Sequence, residues 1–99
     1  MMSFIAQIVT NGTAAGSVEW PGGQGKFYAH ASTAWGGDTL RLQYLADTDG
    51  STDRWVNIQV LSLSDNDMFD FSCPQGRLRA VKAGTGSTGL DAWVARVMT

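Results

Sequence analysis

Glycine and proline cut this chain into segments too short for most helices. Turn signals stand at Asn11-Gly12, Gly16, Pro21-Gly22-Gly23, Gly25, Gly36-Gly37, Gly50, Pro74 to Gly76, and Gly84 to Gly89. The stretches between them have the length of strands, and most alternate apolar and polar residues with a period of two. In Thr39 to Leu45, Leu40, Leu42 and Tyr44 share one face while Arg41 and Gln43 share the other. In Lys26 to Ser32, Phe27, Ala29 and Ala31 oppose Tyr28, His30 and Ser32. Arg54 to Val60 turns Val56, Ile58 and Val60 inward and Trp55, Asn57 and Gln59 outward. Met68 to Ser72 pairs Phe69 with Phe71, and Arg77 to Ala83 sets Leu78 and Ala80 against Arg77 and Arg79. The last segment, Asp91 to Met98, sets Trp93, Ala95 and Val97 against Val94, Arg96 and Met98. Weaker strands are expected near Phe4 to Val9 and Ala14 to Trp20.

Seven or eight short strands with a turn signal every eight to twelve residues predict an all-β fold. The architecture expected is an antiparallel β-sandwich, jelly-roll-like, as one domain over 13–99. Residues 1–12 read as an N-terminal arm or edge strand. A helix over Ser3 to Val9 also fits the spacing of Phe4, Ile5, Ile8 and Val9, but it is too short to stand alone. Two segments echo each other. Gly25-Lys26-Phe27 opens a strand that ends in a glycine-rich loop and Asp38, and Gly76-Arg77-Leu78 does the same, ending in Gly84 to Gly89 and Asp91.

Composition narrows the function. Seven Lys and Arg against nine Asp and Glu leave a formal charge of −2, and no basic cluster stands out. Such a chain is a poor nucleic-acid binder. No apolar run approaches the roughly 18 residues of a membrane span. The N-terminal segment lacks the basic start and cleavage site of a signal peptide. Cys73 is the single cysteine, so no disulfide forms within the chain, and beside Pro74 it reads as a buried, inert thiol.

Catalytic and metal-binding chemistry is sparse. One His and one Cys cannot supply a structural zinc site. His30 lies mid-strand and reads as a sheet-face residue without a catalytic partner. Gly22-Gly23-Gln24-Gly25 precedes a strand, so it lacks the helix N-terminus of a phosphate loop. Asp47, Asp49 and Asp53 flank Gly50 and offer oxygens of the kind calcium takes, but the stretch departs from the helix-loop-helix calcium pattern. A solvated hairpin turn at Asp49-Gly50 accounts for it, and Asp65-Asn66-Asp67 is a similar turn. No metal, cofactor or catalytic residue is assigned, and a non-enzymatic protein is expected.

The four tryptophans are the residues left unexplained. Trp20, Trp35 and Trp55 fall at loop edges or on faces opposite the apolar one, as do Val94 and Met98. A small domain with a charged fraction of 16%, against roughly 25% in ordinary soluble proteins, does not easily hide four indoles. Aromatics in such places anchor protein interfaces or stack on sugar rings. The candidate interface residues are therefore Phe4, Ile5, Ile8, Trp20, Trp35 and Trp55.

Three further stretches carry a resemblance. Val18-Glu19-Trp20-Pro21-Gly22-Gly23-Gln24-Gly25, Leu40-Arg41-Leu42-Gln43-Tyr44-Leu45, and Pro74-Gln75-Gly76-Arg77-Leu78-Arg79-Ala80, with the Asp-Gly-Ser-Thr loop and Trp55-Val56, resemble small virion proteins of tailed phages. These are β-sandwiches of the capsid decoration or cement type, and the resemblance spans about residues 17 to 97. It implies a protein made in the host cytoplasm, carried in the virion, and bound to the major capsid protein as a homo-oligomer, trimer or dimer. It transfers no site residue. A carbohydrate-binding or host-attachment module using Trp20, Trp35 or Trp55 is the alternative expectation.

Overall fold

The computed structural model describes residues 2–58 and 62–98, with side chains for 4–58 and 62–96. Nine strands follow one another: β1 (Met2–Thr10), β2 (Thr13–Ala14), β3 (Val18–Trp20), β4 (Gly23–Ala34), β5 (Thr39–Thr48), β6 (Asp53–Asn57), β7 (Asp67–Cys73), β8 (Gly76–Ala83) and β9 (Thr88–Met98). They form a five-stranded sheet, β2-β1-β9-β4-β7, and a four-stranded sheet, β3-β8-β5-β6. Every strand pair is antiparallel.

The pairing is nested. β5 pairs with β6, β4 with β7, β3 with β8 and β1 with β9, so that an antiparallel ribbon is folded on itself. The β4–β9 and β5–β8 pairings then close the ribbon into two sheets. That order is a jelly roll. The ninth strand is the two-residue β2, which pairs only Val9 and Thr10 of β1. Segment Ser3 to Val9 is strand and not helix, because β9 supplies its backbone partners.

Side chains meet between the sheets as the alternation predicts for β4, β5, β7 and β8. Phe27, Ala29 and Ala31, then Leu40 and Leu42, then Leu78 and Ala80 are buried together with Phe71. Each large apolar side chain so removed from water contributes about 1.5–3 kcal/mol. Three expectations differ. Val94 is fully buried, in line with Leu90 and Ala92, so it is Trp93 that faces outward. Ile8 and Val9 are both at 0% exposure, which strict alternation forbids. A register shift between Gln7 and Val9 bulges β1 there and turns both residues inward. Val56 keeps its inward parity opposite Tyr44 but stays 48% exposed at the end of the short β6. The expectations for Gln59 and Val60, and for the Val97 and Met98 side chains, lie outside the described residues.

Trp20 is the largest correction. It is 1% exposed and forms the end of the core, with Phe4 edge-on at 5.8 Å and Phe71 tilted against it at 5.0 Å. The chain bends after Trp20 at Gly22 and Gly23, both at positive φ, before β4 begins. Gly25 makes the room: a Cβ there would collide with the Trp20 ring and the Ala95 carbonyl. Trp20 Nε1 is buried with no hydrogen-bond partner among the described residues, so apolar area alone holds the ring.

The two echoing loops meet at the other end of the sandwich. Asp38, 1% exposed, accepts hydrogen bonds from Gly86 N and Ser87 N, both at 2.9 Å. Gly36 and Gly86 pass so closely that a Cβ on either would strike the other backbone. The Gly86 amide first, then Ser87 and the Lys82 ammonium 3.6 Å away, lower the Asp38 pKa to about 2 against the cost of burial. The carboxylate thus ties the β4–β5 loop to the β8–β9 loop.

Candidate functional site

The outer face of the five-stranded sheet carries an apolar patch built around two exposed side chains, Ile5 and Met68. Strand register lays two rows across it. One runs Ile5, Ala95, Lys26, Asp70, and the next runs Gln7, Trp93, Tyr28, Met68. Ile5 is 62% exposed and Met68 48%, the two most exposed large apolar side chains among the described residues with Val56. Between them Tyr28 and Trp93 stack across the strands, ring centroids 5.4 Å apart and planes 18° from parallel. Ile5, Tyr28, Met68, Ala95, Lys26, Asp67 and Arg96 surround one shallow depression of about 510 Å³. Apolar centre and charged margin are the anatomy of a protein-contact patch.

Of the candidate interface residues, Ile5 alone lies openly on this face. Ile8 and Trp20 are in the core and offer no surface. Phe4 packs on Trp20 at the edge of the core. Trp35 is half-buried, and its Nε1 donates to Asn66 Oδ1 at 2.8 Å. The same Asn66 oxygen accepts from Ala31 N, so Trp35 and Asn66 lock the loop before β7 onto β4. Trp55 is outward, as expected, but the Arg79 guanidinium lies 4.3 Å over its ring. Sequence reasoning missed Tyr28, Trp93 and Met68 as a group. Part of the signal is in the alternation: Tyr28 stands opposite Phe27 and Ala29, and Met68 has the parity opposite Phe69 and Phe71, whereas the alternation as read turns Trp93 inward.

The Asp47–Asp53 loop is closed by its own cation. Arg54 donates to Asp47 Oδ1 at 2.6 Å and to Asp49 Oδ2 at 2.9 Å. Thr52 N also donates to Asp49 Oδ1, and Arg54 with this amide holds the Asp49 pKa below the ordinary value. Asp47 likewise raises the Arg54 pKa, with Asp49 second. Among the described residues, no group of three His, Cys, Asp or Glu side chains is placed to hold a metal ion. Cys73 is half-buried, and burial raises its thiol pKa, which disfavours the reactive thiolate. His30 is exposed on β4 opposite Asp91 of β9.

No protein-family model and no curated protein matches the chain. Among solved structures it is similar to Peruvianin-I, a cysteine peptidase from Thevetia peruviana latex, at 15% identity and a TM-score of 0.32. That likeness covers 94% of this chain and 59% of the other, and at this TM-score it carries no argument about fold or activity.

Proposed function

We propose that this jelly roll is a non-enzymatic assembly protein that docks by the outer face of its five-stranded sheet onto a repeated protein surface. The observation that carries the reading is the Ile5, Tyr28, Trp93, Met68 patch. These side chains sit on paired strands and leave apolar area that a partner would cover. The motif resemblance to tailed-phage decoration proteins supports the major capsid protein of such a phage as that surface, and the virion as the place of residence. Many identical weak contacts on a shell then add through multivalency.

The test is co-sedimentation with phage heads stripped of minor proteins. Wild-type chain is expected to pellet at a fixed ratio to the capsid protein, and Met68→Glu to stay in the supernatant with its β-sheet circular dichroism intact. Equal pelleting of both would overturn the reading. A second reading rests on the Tyr28–Trp93 pair, whose stacked rings beside Lys26, Asp67 and Arg96 suit a sugar ring and its hydroxyls. Saturable change of tryptophan fluorescence on titration with a host glycan, absent in Tyr28→Ala, would favour it.

A further inference from the structure

The four sheet margins are not treated alike. β7, one margin of the larger sheet, carries Asp67 and Asp70; β6 carries Asp53 and Arg54; β3 is three residues long and includes Glu19. Charges and shortness on an edge strand hinder the addition of further strands. At the remaining margin β2 covers only Val9 and Thr10, and Ala15 N donates to Ile8 O, so that among the described residues β1 from Met2 to Gln7 is an open edge. That stretch has no charge, no proline and no glycine, and the first charged side chain of the whole sequence is Glu19. The bulge at Ile8 lies beyond the open part and does not blunt it.

We propose that β1 is a homotypic pairing edge: two copies join β1 to β1 antiparallel about a twofold axis, fusing two five-stranded sheets into one of ten. A second copy is the occupant because a neutral strand meets itself without like-charge repulsion, whereas the only charges on β7 and β3 are acidic and would be set together, and β6 has its Arg54 already drawn to Asp47 and Asp49. The register follows from the side chains. Directly opposed residues point to the same face, so residues of equal parity must face each other. Setting Ile5 against Ile5 of the second copy covers the most exposed apolar side chain with its own equivalent. The same register sets half-buried Phe4 against Ala6 of the second copy, a large residue against a small one, and extends the core across the axis. The contact shares Ile5 with the docking patch but uses the strand edge and leaves Met68, Tyr28 and Trp93 uncovered.

Light scattering on the full chain reads the oligomer, and a thiol at position 5 reads the register. Wild type is expected at twice the monomer mass, and Ile5→Lys at the monomer mass with unchanged circular dichroism. In a Cys73→Ser background, Ile5→Cys is expected to form an intermolecular disulfide with dissolved oxygen as oxidant, while Met68→Cys remains a thiol. A wild type that is monomeric, or a dimer that survives Ile5→Lys, overturns the proposal. Equal cross-linking at both positions overturns it too. Met68→Glu is expected to keep the dimer whatever it does to capsid binding, so the two readings fail separately.

Discussion

The outer faces of the two sheets are built from the same strand geometry and have opposite character. On the four-stranded sheet, outward side chains satisfy one another. Arg79 donates to Gln43 Oε1 at 2.8 Å, Gln43 donates to Asn57 Oδ1 at 3.0 Å, and the Arg79 guanidinium covers Trp55. Arg77 donates to Ser17 and lies 3.6 Å from Glu19. On the five-stranded sheet the corresponding positions hold Ile5, Ala95, Trp93, Tyr28 and Met68. The first face is tied together by its own hydrogen bonds, with Val81 left 38% exposed; the second presents the more exposed Ile5 and Met68 beside half-buried Tyr28 and Trp93. A half-buried tryptophan on the outer face means different things on the two: Trp55 is capped by a cation of its own chain, and Trp93 stacks on Tyr28.

Substitutions separate these roles. Trp20→Ala is expected to have the largest effect, a loss of about 3–5 kcal/mol in denaturant unfolding, because it empties the end of the core beneath both faces. Acid is expected to act next, at the loop junction. The Asp38 pKa is lowered from 3.8 to about 2 on folding, so its contribution is complete above 3.8 and is lost as pH falls towards 2. An Asp38→Asn chain should lose that part of the acid dependence, as a pH series of melting temperatures would show. Arg79→Ala removes the cover of Trp55 and the bond to Gln43 and is expected to cost about 0.5–1 kcal/mol, with no effect on capsid pelleting. Met68→Glu should change stability by no more than about 0.5 kcal/mol while abolishing pelleting. If Arg79→Ala abolished pelleting and Met68→Glu did not, the assignment of the two faces would be reversed.

The strands were legible where alternation was long and unambiguous. β4, β5, β7 and β8 each carry an alternating apolar run, Phe27-Ala29-Ala31, Leu40-Leu42, Phe69-Phe71 and Leu78-Ala80, and these inward faces are as read. The misread residues share a cause. In β9 both parities are apolar, Trp93 and Ala95 against Val94 and Met98, and starting the strand at Asp91 left out Leu90, which with Ala92 would have aligned Val94 with the core. Trp20 belongs to a strand of three residues, too short to display a period. Ile8 sits at a bulge, whose extra residue is not written in any local pattern. The docking patch was half legible for the same reason: Tyr28 and Met68 have clear parity, and their grouping with Ile5 and Trp93 depends on strand order, which residue spacing does not encode.

Nested pairing also sets the order in which the protein can come into being. β1 is made before its long partner β9, and it must wait while β2 to β8 are made between them. Loop-closure entropy favours the innermost hairpin, β5 with β6, and each outer pair closes a longer loop than the one before. Throughout that interval the uncharged β1 is a bare, sticky segment in a crowded cell. The strand with the least protection against mispairing is therefore the one exposed for longest, and holdase chaperones should bind nascent chains there.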